Sequence, residues 1–175
     1  MLKEKIQNDL KDSLKTGDKT KRLVLGMLNA SIKNRELLKR GQLSKTVSDT
    51  IELEKQSQLN DEEVLEVITS EVKKRKESIE QFKLGGRQEL VEKESAELEN
   101  LLGYLPEQLS EDQIKQEVQQ AITGLGINPD DSVSGPRPER RGDMGKIIGA
   151  VMAKLKGRAD GTVVSKIVKE MLSSN

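Results

Sequence analysis

Aliphatic side chains recur every three or four residues along most of this chain, and this spacing constrains its fold more than any other feature. Near the N-terminus they fall at Leu2, Ile6, Leu10 and Leu14. A period close to 3.6 residues places such side chains on one face of an α-helix. The chain holds one Phe, one Tyr and no Trp, whereas sandwiches and barrels of β-strands are usually richer in aromatic and β-branched residues. The sequence therefore predicts an all-α fold.

The first two predicted helices are separated by Gly17, which ends one of them, and by Asp18, which caps the next. The second helix should run to about Arg40 and pack on the first as an antiparallel hairpin. Its predicted core-facing residues are Leu23, Val24, Met27, Leu28 and Ile32. Residues 42–59 are polar and lack a clear period, so we expect a loop there in which the segment IELEKQ could form a short helical turn.

Two longer helices complete a predicted N-terminal helical domain. Asn60, with Glu63 three residues later, has the capping-box pattern and begins a helix that runs to about Lys83. Arg75 lies on the aliphatic stripe of this helix, where we expect the helix end to overhang the core. The basic run 73–76 is flanked by glutamates, which favours i,i+4 pairing on a solvated face and leaves a secondary phosphate contact as the alternative.

The segment GYLPEQLS predicts a boundary between two helical domains, because the helix over 87–104 must end before Pro106. We therefore expect an N-terminal helical bundle over 1–104 and a C-terminal three-helix bundle over 105–175. Ser110 and Gln113 have the capping-box pattern at the start of the second domain. Gly126 closes its first helix, and the Pro-, Gly- and charge-rich residues 128–142 predict a loop.

The most specific segment is GDMGKIIGAVMAKLKGRADG, residues 142–161, which holds five of the fourteen glycines. It predicts a helix over 144–156 with Asp143 as N-cap, Gly157 as a left-handed residue after the C-terminus and Asp160 as N-cap of a final helix over 161–172. Gly145, Gly149 and Ala153 share one strip beside the aliphatic face, where a backbone or a ligand could approach closely.

Charge is unevenly distributed although 30 basic residues balance 30 acidic ones. Lys146 and Lys154 should point away from the core. From Arg137 to Lys169 the chain has nine basic residues and three acidic ones, a local excess of six positive charges. Helix capping does not require so many like charges in one place, so an anionic partner and an incidental basic patch both stay open as explanations.

These residues also carry a resemblance to a known family. DMGKIIGAVMAKLKGRADG is similar to the hallmark of the tail domain shared by the GatB subunit of tRNA-dependent amidotransferases and the free-standing YqeY proteins. Similarity extends over nearly the whole chain through RLVLGMLNASIKN, DEEVLEVITSEVKKRKESIEQF and GGRQELVEKESAELENLLGYLPEQLSEDQI. The chain therefore resembles the GatB/YqeY domain family, and within it the YqeY type. The basic run-in from Arg137 to Arg141 departs from the family pattern.

The resemblance implies that the C-terminal domain helps to hold the elbow of tRNA, which is recognised by its shape. The candidate phosphate contacts are then Lys146, Lys154, Lys156 and Arg158, and the residues that permit close approach are Gly145, Gly149 and Gly157. The family label also implies a carbon-nitrogen ligase that uses glutamine as amido-nitrogen donor. No segment resembles the catalytic portion of GatB or a glutaminase, so we expect the label without the isolated activity.

The residues themselves indicate no catalytic site. The chain has no Cys and no His, which removes disulfides, thiol nucleophiles, imidazole acid–base catalysis and the usual zinc ligands. Neither a P-loop nor a dinucleotide-binding pattern is present, and no cofactor or metal is predicted. The absence of a long apolar run and of a leader-like N-terminus predicts a cytoplasmic protein without a membrane partner.

Two classes of function stay open alongside the ligase label. The first is a non-catalytic tRNA-binding module that acts beside a tRNA-modifying or aminoacylation-related enzyme. The second is an accessory or adaptor protein whose N-terminal domain docks a protein partner. An exposed apolar face on residues 1–40 would favour the second class.

Overall fold

The computed structural model describes residues 1–127, 138–155 and 157–173, with the side chains of 138–142 and of Ser173 outside that description. Within these residues the protein forms eight α-helices and no β-strand, which confirms the all-α prediction. The helices are α1 (Leu2–Thr16), α2 (Lys19–Leu43), α3 (Thr50–Ser57), α4 (Asp61–Leu84), α5 (Gln88–Leu102), α6 (Glu111–Gly124), α7 (Pro138–Leu155) and α8 (Gly161–Ser173).

Contacts divide the chain into two compact units, each with its own hydrophobic core. The N-terminal unit is Met1–Leu105 and contains α1 to α5, and the C-terminal unit is Pro106–Asn175 and contains α6 to α8. The predicted domain boundary lies one residue earlier, after Tyr104.

Helices α1 and α2 are antiparallel, because Lys3 at the start of α1 pairs with Glu36 near the end of α2, at 2.5 Å. Gly17 adopts the left-handed conformation with φ 76°, and the Asp18 carboxylate accepts a hydrogen bond from the Lys21 backbone N–H at 2.9 Å. Both observations confirm the predicted break between the two helices.

Helix α2 differs from its prediction in its length and in the face it buries. It continues through Gly41 to Leu43. Its buried residues are Val24, Leu25, Leu28 and Ile32, whereas Leu23 and Met27 are exposed, so their assignment to the core is wrong. Helix α2 packs against α1, α3, α4 and α5, and these contacts determine which of its faces is buried.

Residues 42–59 contain helix α3, which covers the segment IELEKQ, where the sequence allows a short helical turn, and extends it by one residue at each end. The Asp49 carboxylate accepts hydrogen bonds from the backbone N–H groups of Ile51 and Glu52, at 2.8 and 3.0 Å. This N-cap begins the helix despite the weak periodicity of the segment. Ser57 at its end and Leu59 just after it are both buried, so packing against the unit holds α3 in place.

Arg75 is buried in the N-terminal unit, with 6% of its surface exposed, so the prediction that it overhangs the core is wrong. Its Nη2 donates to the Glu97 carboxylate of α5 at 2.9 Å, and its Nη1 donates to Glu71 one turn away at 3.4 Å. The side chain can lie on the aliphatic stripe because two buried carboxylates accept its hydrogen bonds and balance its charge there.

The C-terminal unit packs three helices around an aliphatic core. Ser110 and Gln113 exchange the two hydrogen bonds of a capping box, as predicted, at 3.0 and 3.3 Å. Gly126 follows α6 with φ 66°. The core residues are Ile114, Val118, Ile122, Ile147, Val151, Leu155, Ala159, Val164, Ile167 and Val168.

Candidate nucleic-acid interface

Helix α7 carries the glycine-rich segment and begins earlier than predicted, at Pro138 rather than Met144. Asp143 therefore lies inside the helix, where its carboxylate pairs with Lys146 at 3.4 Å, and its assignment as N-cap is wrong. A proline fits the first helical turn because its missing N–H would be unpaired there in any case. Residues 138–142 are helical rather than loop, and residues 128–137 lie outside the described part.

One face of α7 is almost free of side chains. Gly145, Gly149 and Ala153 are all exposed. A Cβ atom added to Gly145 or Gly149 would meet no neighbouring atom within 4 Å. Packing inside the protein therefore does not require glycine at either position. Since glycine inside a helix costs roughly 0.5–1 kcal/mol relative to alanine, this face is less stable than an alanine face would be.

The two lysines of α7 are exposed, as predicted, but each has a polar partner. Lys146 pairs with Asp143, and Lys154 reaches α6, where its Nζ lies 2.5 Å from Glu117 Oε2 and 2.9 Å from Gln120 Oε1. These partners compensate part of the positive charge counted from the sequence. The link to α6 could not be read from the sequence, because it depends on the register in which α6 and α7 pack.

The turn after α7 holds the remaining candidate residues. Gly157 has φ 81°, which confirms the predicted left-handed position. Gln108 Nε2 donates to the Gly157 carbonyl at 2.9 Å, and the Leu109 backbone N–H donates to the Arg158 carbonyl at 2.8 Å. These bonds fix the turn against the segment that precedes α6, with Arg158 exposed. Lys156 lies outside the described residues.

Asp160 begins the last helix as predicted. Its carboxylate accepts hydrogen bonds from the Thr162 backbone N–H, at 2.9 Å, and from the Thr162 hydroxyl. Two exposed cations, Lys146 within α7 and Arg158 in the turn that follows it, belong to the same unit as the small-residue strip.

The N-terminal unit contains a second polar feature that the sequence did not indicate. Helices α2 and α4 are antiparallel, with Ser31 donating to Glu71 at 3.2 Å and Lys39 donating to Glu63 at 2.7 Å. The groove between these helices has a volume of about 420 Å³ and an open mouth. Burial raises the pKa of Glu63, but the bonds from Lys39 and from the Asn60 N–H, with the charges of Lys39 and Arg35, hold it below its usual value.

The basic run of α4 is explained by pairing, as the first interpretation of the sequence has it. Lys73 lies 4.0 Å from Glu77, and Lys74 donates to Glu71 at 2.7 Å.

Across the described ranges, no three acidic, His or Cys side chains come close enough together to hold a metal ion. Over the same part of the chain, none of the helices has the length and apolar content needed to cross a bilayer.

Comparison with known proteins gives a family match over most of the chain. The model of the family described as Yqey-like protein matches residues 43–172. A relative from Pyrenophora tritici-repentis, named Altered inheritance of mitochondria protein 41, mitochondrial, is 29% identical over 173 residues, which are 97% of this chain and 80% of the relative. An uncharacterized protein of Schizosaccharomyces pombe is 44% identical over 50 residues, which are 29% of this chain and 41% of that protein.

Proposed function

The chain belongs to the YqeY-like protein family, and on that premise we propose that its C-terminal unit is a non-catalytic module that binds structured RNA, with the tRNA elbow as target. The observation that carries the proposal is the exposed strip of Gly145 and Gly149 on α7. Neither glycine is needed for packing, and both lower helix stability. Glycine at these two positions is explained if a binding partner must come close to the helix backbone there.

The charges around this strip suit an RNA backbone. Lys146 of α7 and Arg158 of the following turn are exposed, and Lys154 and Lys156 belong to the same proposed surface. To bind RNA, Lys146 and Lys154 would have to leave their carboxylate partners and pair with phosphates instead. The affinity for RNA should therefore be moderate and should fall as the salt concentration rises. The resemblance of this segment to the GatB tail agrees with such a role.

The composition of the C-terminal unit favours structured RNA over single strands. The only Phe and the only Tyr of the chain, Phe82 and Tyr104, both belong to the N-terminal unit. Proteins that bind single strands usually stack bases on aromatic side chains. A surface of glycines and cations can instead follow the shape and phosphates of a folded RNA.

The adaptor function is a second candidate, because its distinguishing feature is present. Leu23, Met27, Leu37 and Leu38 of α2 are all exposed. An RNA module in the C-terminal unit is compatible with a protein partner on the N-terminal unit, such as a tRNA-modifying or aminoacylation-related enzyme. A cytoplasmic location stays a prediction, since one relative has a mitochondrial name.

The test is binding of the full chain to total tRNA across a salt series. The variant replaces Lys146, Lys154, Lys156 and Arg158 with alanine. A matched control removes four exposed lysines of the N-terminal unit, namely Lys11, Lys45, Lys55 and Lys93. We expect the first variant to lose affinity and to show a shallower salt dependence, by up to about 0.9 in log–log slope for each lost phosphate contact.

The control should bind as the wild type does, and circular dichroism should show that both variants keep their helix content. Footprinting of a bound tRNA should then protect the elbow. Equal losses in the two variants, or no binding of the wild type at low salt, would contradict the proposal.

A further inference from the structure

Helix α2 exposes an apolar stripe that borders the groove between α2 and α4. The stripe consists of Leu23, Met27, Leu37 and Leu38, which are 49%, 47%, 56% and 63% exposed. Helical spacing places Ala30 and Asn34 between these side chains. Single exposed leucines are common on protein surfaces, but four large apolar side chains along one helix form a patch that is typical of an interaction site.

Positive charges line one flank of this α2 stripe. Arg22, Lys33 and Arg40 are spaced by eleven and seven residues, close to three and two helical turns, so they fall on one line about 27 Å long. None of the three forms an ion pair with any residue of the described ranges. The single acid of α2, Glu36, is already paired with Lys3.

Helix stability accounts for Arg40, which lies in the last turn where the helix dipole favours a cation, but not for Arg22 or Lys33. The first turn contains no acidic residue, and it begins with Lys19, Lys21 and Arg22 at the positive end of the dipole, where cations are unfavourable. Seven basic residues and one acidic residue give α2 an excess of six positive charges. The cations that helix formation does not favour are explained by attraction to an acidic surface.

We propose that the α2 stripe docks an acidic amphipathic helix of a protein partner. Aliphatic side chains of that helix would cover Leu23, Met27, Leu37 and Leu38. Its carboxylates, at a spacing of about eleven and seven residues, would face Arg22, Lys33 and Arg40. Opposite charges would orient the incoming helix and speed its association. This site lies in the N-terminal unit and is independent of the RNA surface proposed for α7.

The same features disfavour a membrane or an RNA as the occupant. Asn34 lies within the stripe and would lose its water without gaining a partner in hydrocarbon, whereas a protein helix can offer it a hydrogen bond. No Phe, Tyr or Trp occurs in α2, although aromatic residues commonly accompany helices that lie in a bilayer interface. Phosphates and riboses provide nothing to cover exposed leucines.

The test measures binding of the full chain to a labelled synthetic 20-residue helix by fluorescence anisotropy. The peptide has leucines on one face and three glutamates on its flank at the stated spacing, and a second peptide has lysines in place of these glutamates. One variant carries Arg22→Glu, Lys33→Glu and Arg40→Glu. The matched control carries Lys11→Glu, Lys55→Glu and Lys93→Glu, which changes the net charge equally at exposed sites away from the stripe.

We expect the acidic peptide to bind the wild type, and the α2 variant to bind it roughly tenfold more weakly, since three exposed charge pairs together supply about that factor. The control variant should stay within about twofold. The lysine peptide should bind the α2 variant better than the wild type. A second variant, Leu37→Ser with Leu38→Ser, should also lose affinity while circular dichroism shows an intact fold.

Several outcomes would overturn the proposal. Equal losses in the two charge variants would mean general electrostatic attraction, and full affinity of the serine variant would mean that the leucines are not covered. Absence of peptide binding by the wild type at low salt would also reject it. If vesicles of phosphatidylcholine and phosphatidylglycerol, or total tRNA, bind through Arg22, Lys33 and Arg40 while the peptide does not, the occupant is lipid or RNA.

Discussion

The N-terminal unit buries charged side chains within its core and exposes a stripe of large apolar residues on α2, whereas the C-terminal unit has an aliphatic core and exposes two glycines inside α7. The buried polar residues of the described chain, which include Glu71, Arg75 and Glu97, all belong to the N-terminal unit. The described core of the C-terminal unit is entirely aliphatic. The interiors of the two units therefore contain different interactions. Their surfaces differ as well, because one exposes large apolar side chains on α2 and the other exposes glycines on α7.

The buried charges of the N-terminal unit form one connected cluster. Glu71 accepts hydrogen bonds from Ser31 and Lys74, at 3.2 and 2.7 Å, and also from Arg75. Arg75 in turn joins α4 to α5 through Glu97, while its Nε has no hydrogen-bond partner among the described residues. Removing charges from water is costly, so such a cluster contributes little to the stability of the unit. Its main effect is to favour one arrangement of the helices over others.

The largest effect should come from Arg75→Ala. This change leaves two buried carboxylates without their guanidinium partner, so we expect the free energy of unfolding of the N-terminal unit to fall by about 3–5 kcal/mol. Urea unfolding followed by tyrosine fluorescence is the measurement, because the single tyrosine, Tyr104, lies in that unit. Far-ultraviolet circular dichroism follows both units, so it should retain a separate transition from the C-terminal unit.

A double variant separates loss of the charge from loss of the side-chain volume. Arg75→Met with Glu97→Leu replaces the interhelical pair by apolar groups of similar size, and should recover much of the stability that Arg75→Ala loses. If the double variant is as unstable as the single one, the cluster stabilises the unit in a way that apolar packing cannot replace. The two cores would then differ in kind, one held by charged hydrogen bonds and the other by aliphatic packing.

Local signals in the sequence predicted several helix starts, because a cap involves only a few neighbouring residues, although the start of α7 and the end of α2 were misplaced. Asp18, the Asn60–Glu63 pair and the Ser110–Gln113 pair all form the predicted cap hydrogen bonds. These bonds depend on residue type and on spacings of three residues, both of which can be read from a single chain.

The errors arose where tertiary contacts decide the outcome. Met27 fits an aliphatic stripe as well as Leu25 does, and the positions of α1, α4 and α5 around α2 determine which of them is buried. Arg75 was misplaced because its partner Glu97 lies on another helix. In the candidate interface, the exposure of Gly145 and Lys146 followed from periodicity. The contacts of Lys154 with Glu117 and Gln120 did not, because they depend on the packing of α6 against α7.

The second prediction concerns Tyr104, another polar group in the N-terminal core. Its hydroxyl donates to Asp9 at 2.5 Å, and Lys5 lies over its ring at 5.5 Å from the centroid. Because hydrogen bonds to charged groups contribute about 1.5–3 kcal/mol, Tyr104→Phe should lower the free energy of unfolding by about that amount at neutral pH. The measurement is urea unfolding followed by circular dichroism, since the variant lacks the fluorescent tyrosine.

The effect of Tyr104→Phe should depend on pH in the alkaline range. Burial raises the pKa of Tyr104 above its ordinary value of 10.0, and the hydrogen bond with Asp9 and the charge of that carboxylate add to the increase. Tyrosine in the unfolded chain therefore ionises first, so the contribution of Tyr104 is complete below about pH 10 and is lost as pH rises further. A difference between wild type and variant that grows above pH 10 would contradict this sign.

The third prediction compares two aspartates of the C-terminal unit that the sequence presents alike. Asp160→Ala removes the N-cap of α8 and should cost about 1 kcal/mol. Asp143→Ala removes only a surface pair with Lys146 inside α7 and should cost less than about 0.5 kcal/mol. The measurement is hydrogen exchange of the α7 and α8 amides. Equal costs would mean that Asp143 acts as a cap and that α7 begins near Met144 as the sequence indicates.

The smallest effect on stability should have the opposite sign. Gly149 lies inside α7 with open space around its Cα atom, so Gly149→Ala should raise the free energy of unfolding of the C-terminal unit by about 0.5–1 kcal/mol. Gly26→Ala in α2 is the matched control, because an added Cβ also meets nothing there. It should stabilise the N-terminal unit by a similar amount. Urea unfolding followed by circular dichroism measures both changes.

Binding of tRNA should distinguish these two glycines although stability does not. If the RNA backbone lies against the strip of Gly145 and Gly149, side chains at position 149 must displace it. Gly149→Leu should then weaken binding by about 1–3 kcal/mol, the usual cost of overpacking a close contact, and Gly149→Ala by less, while Gly26→Ala leaves binding unchanged. If Gly149→Leu binds tRNA as tightly as the wild type, the strip is not part of the contact, and any RNA affinity would have to come from the cations around it alone.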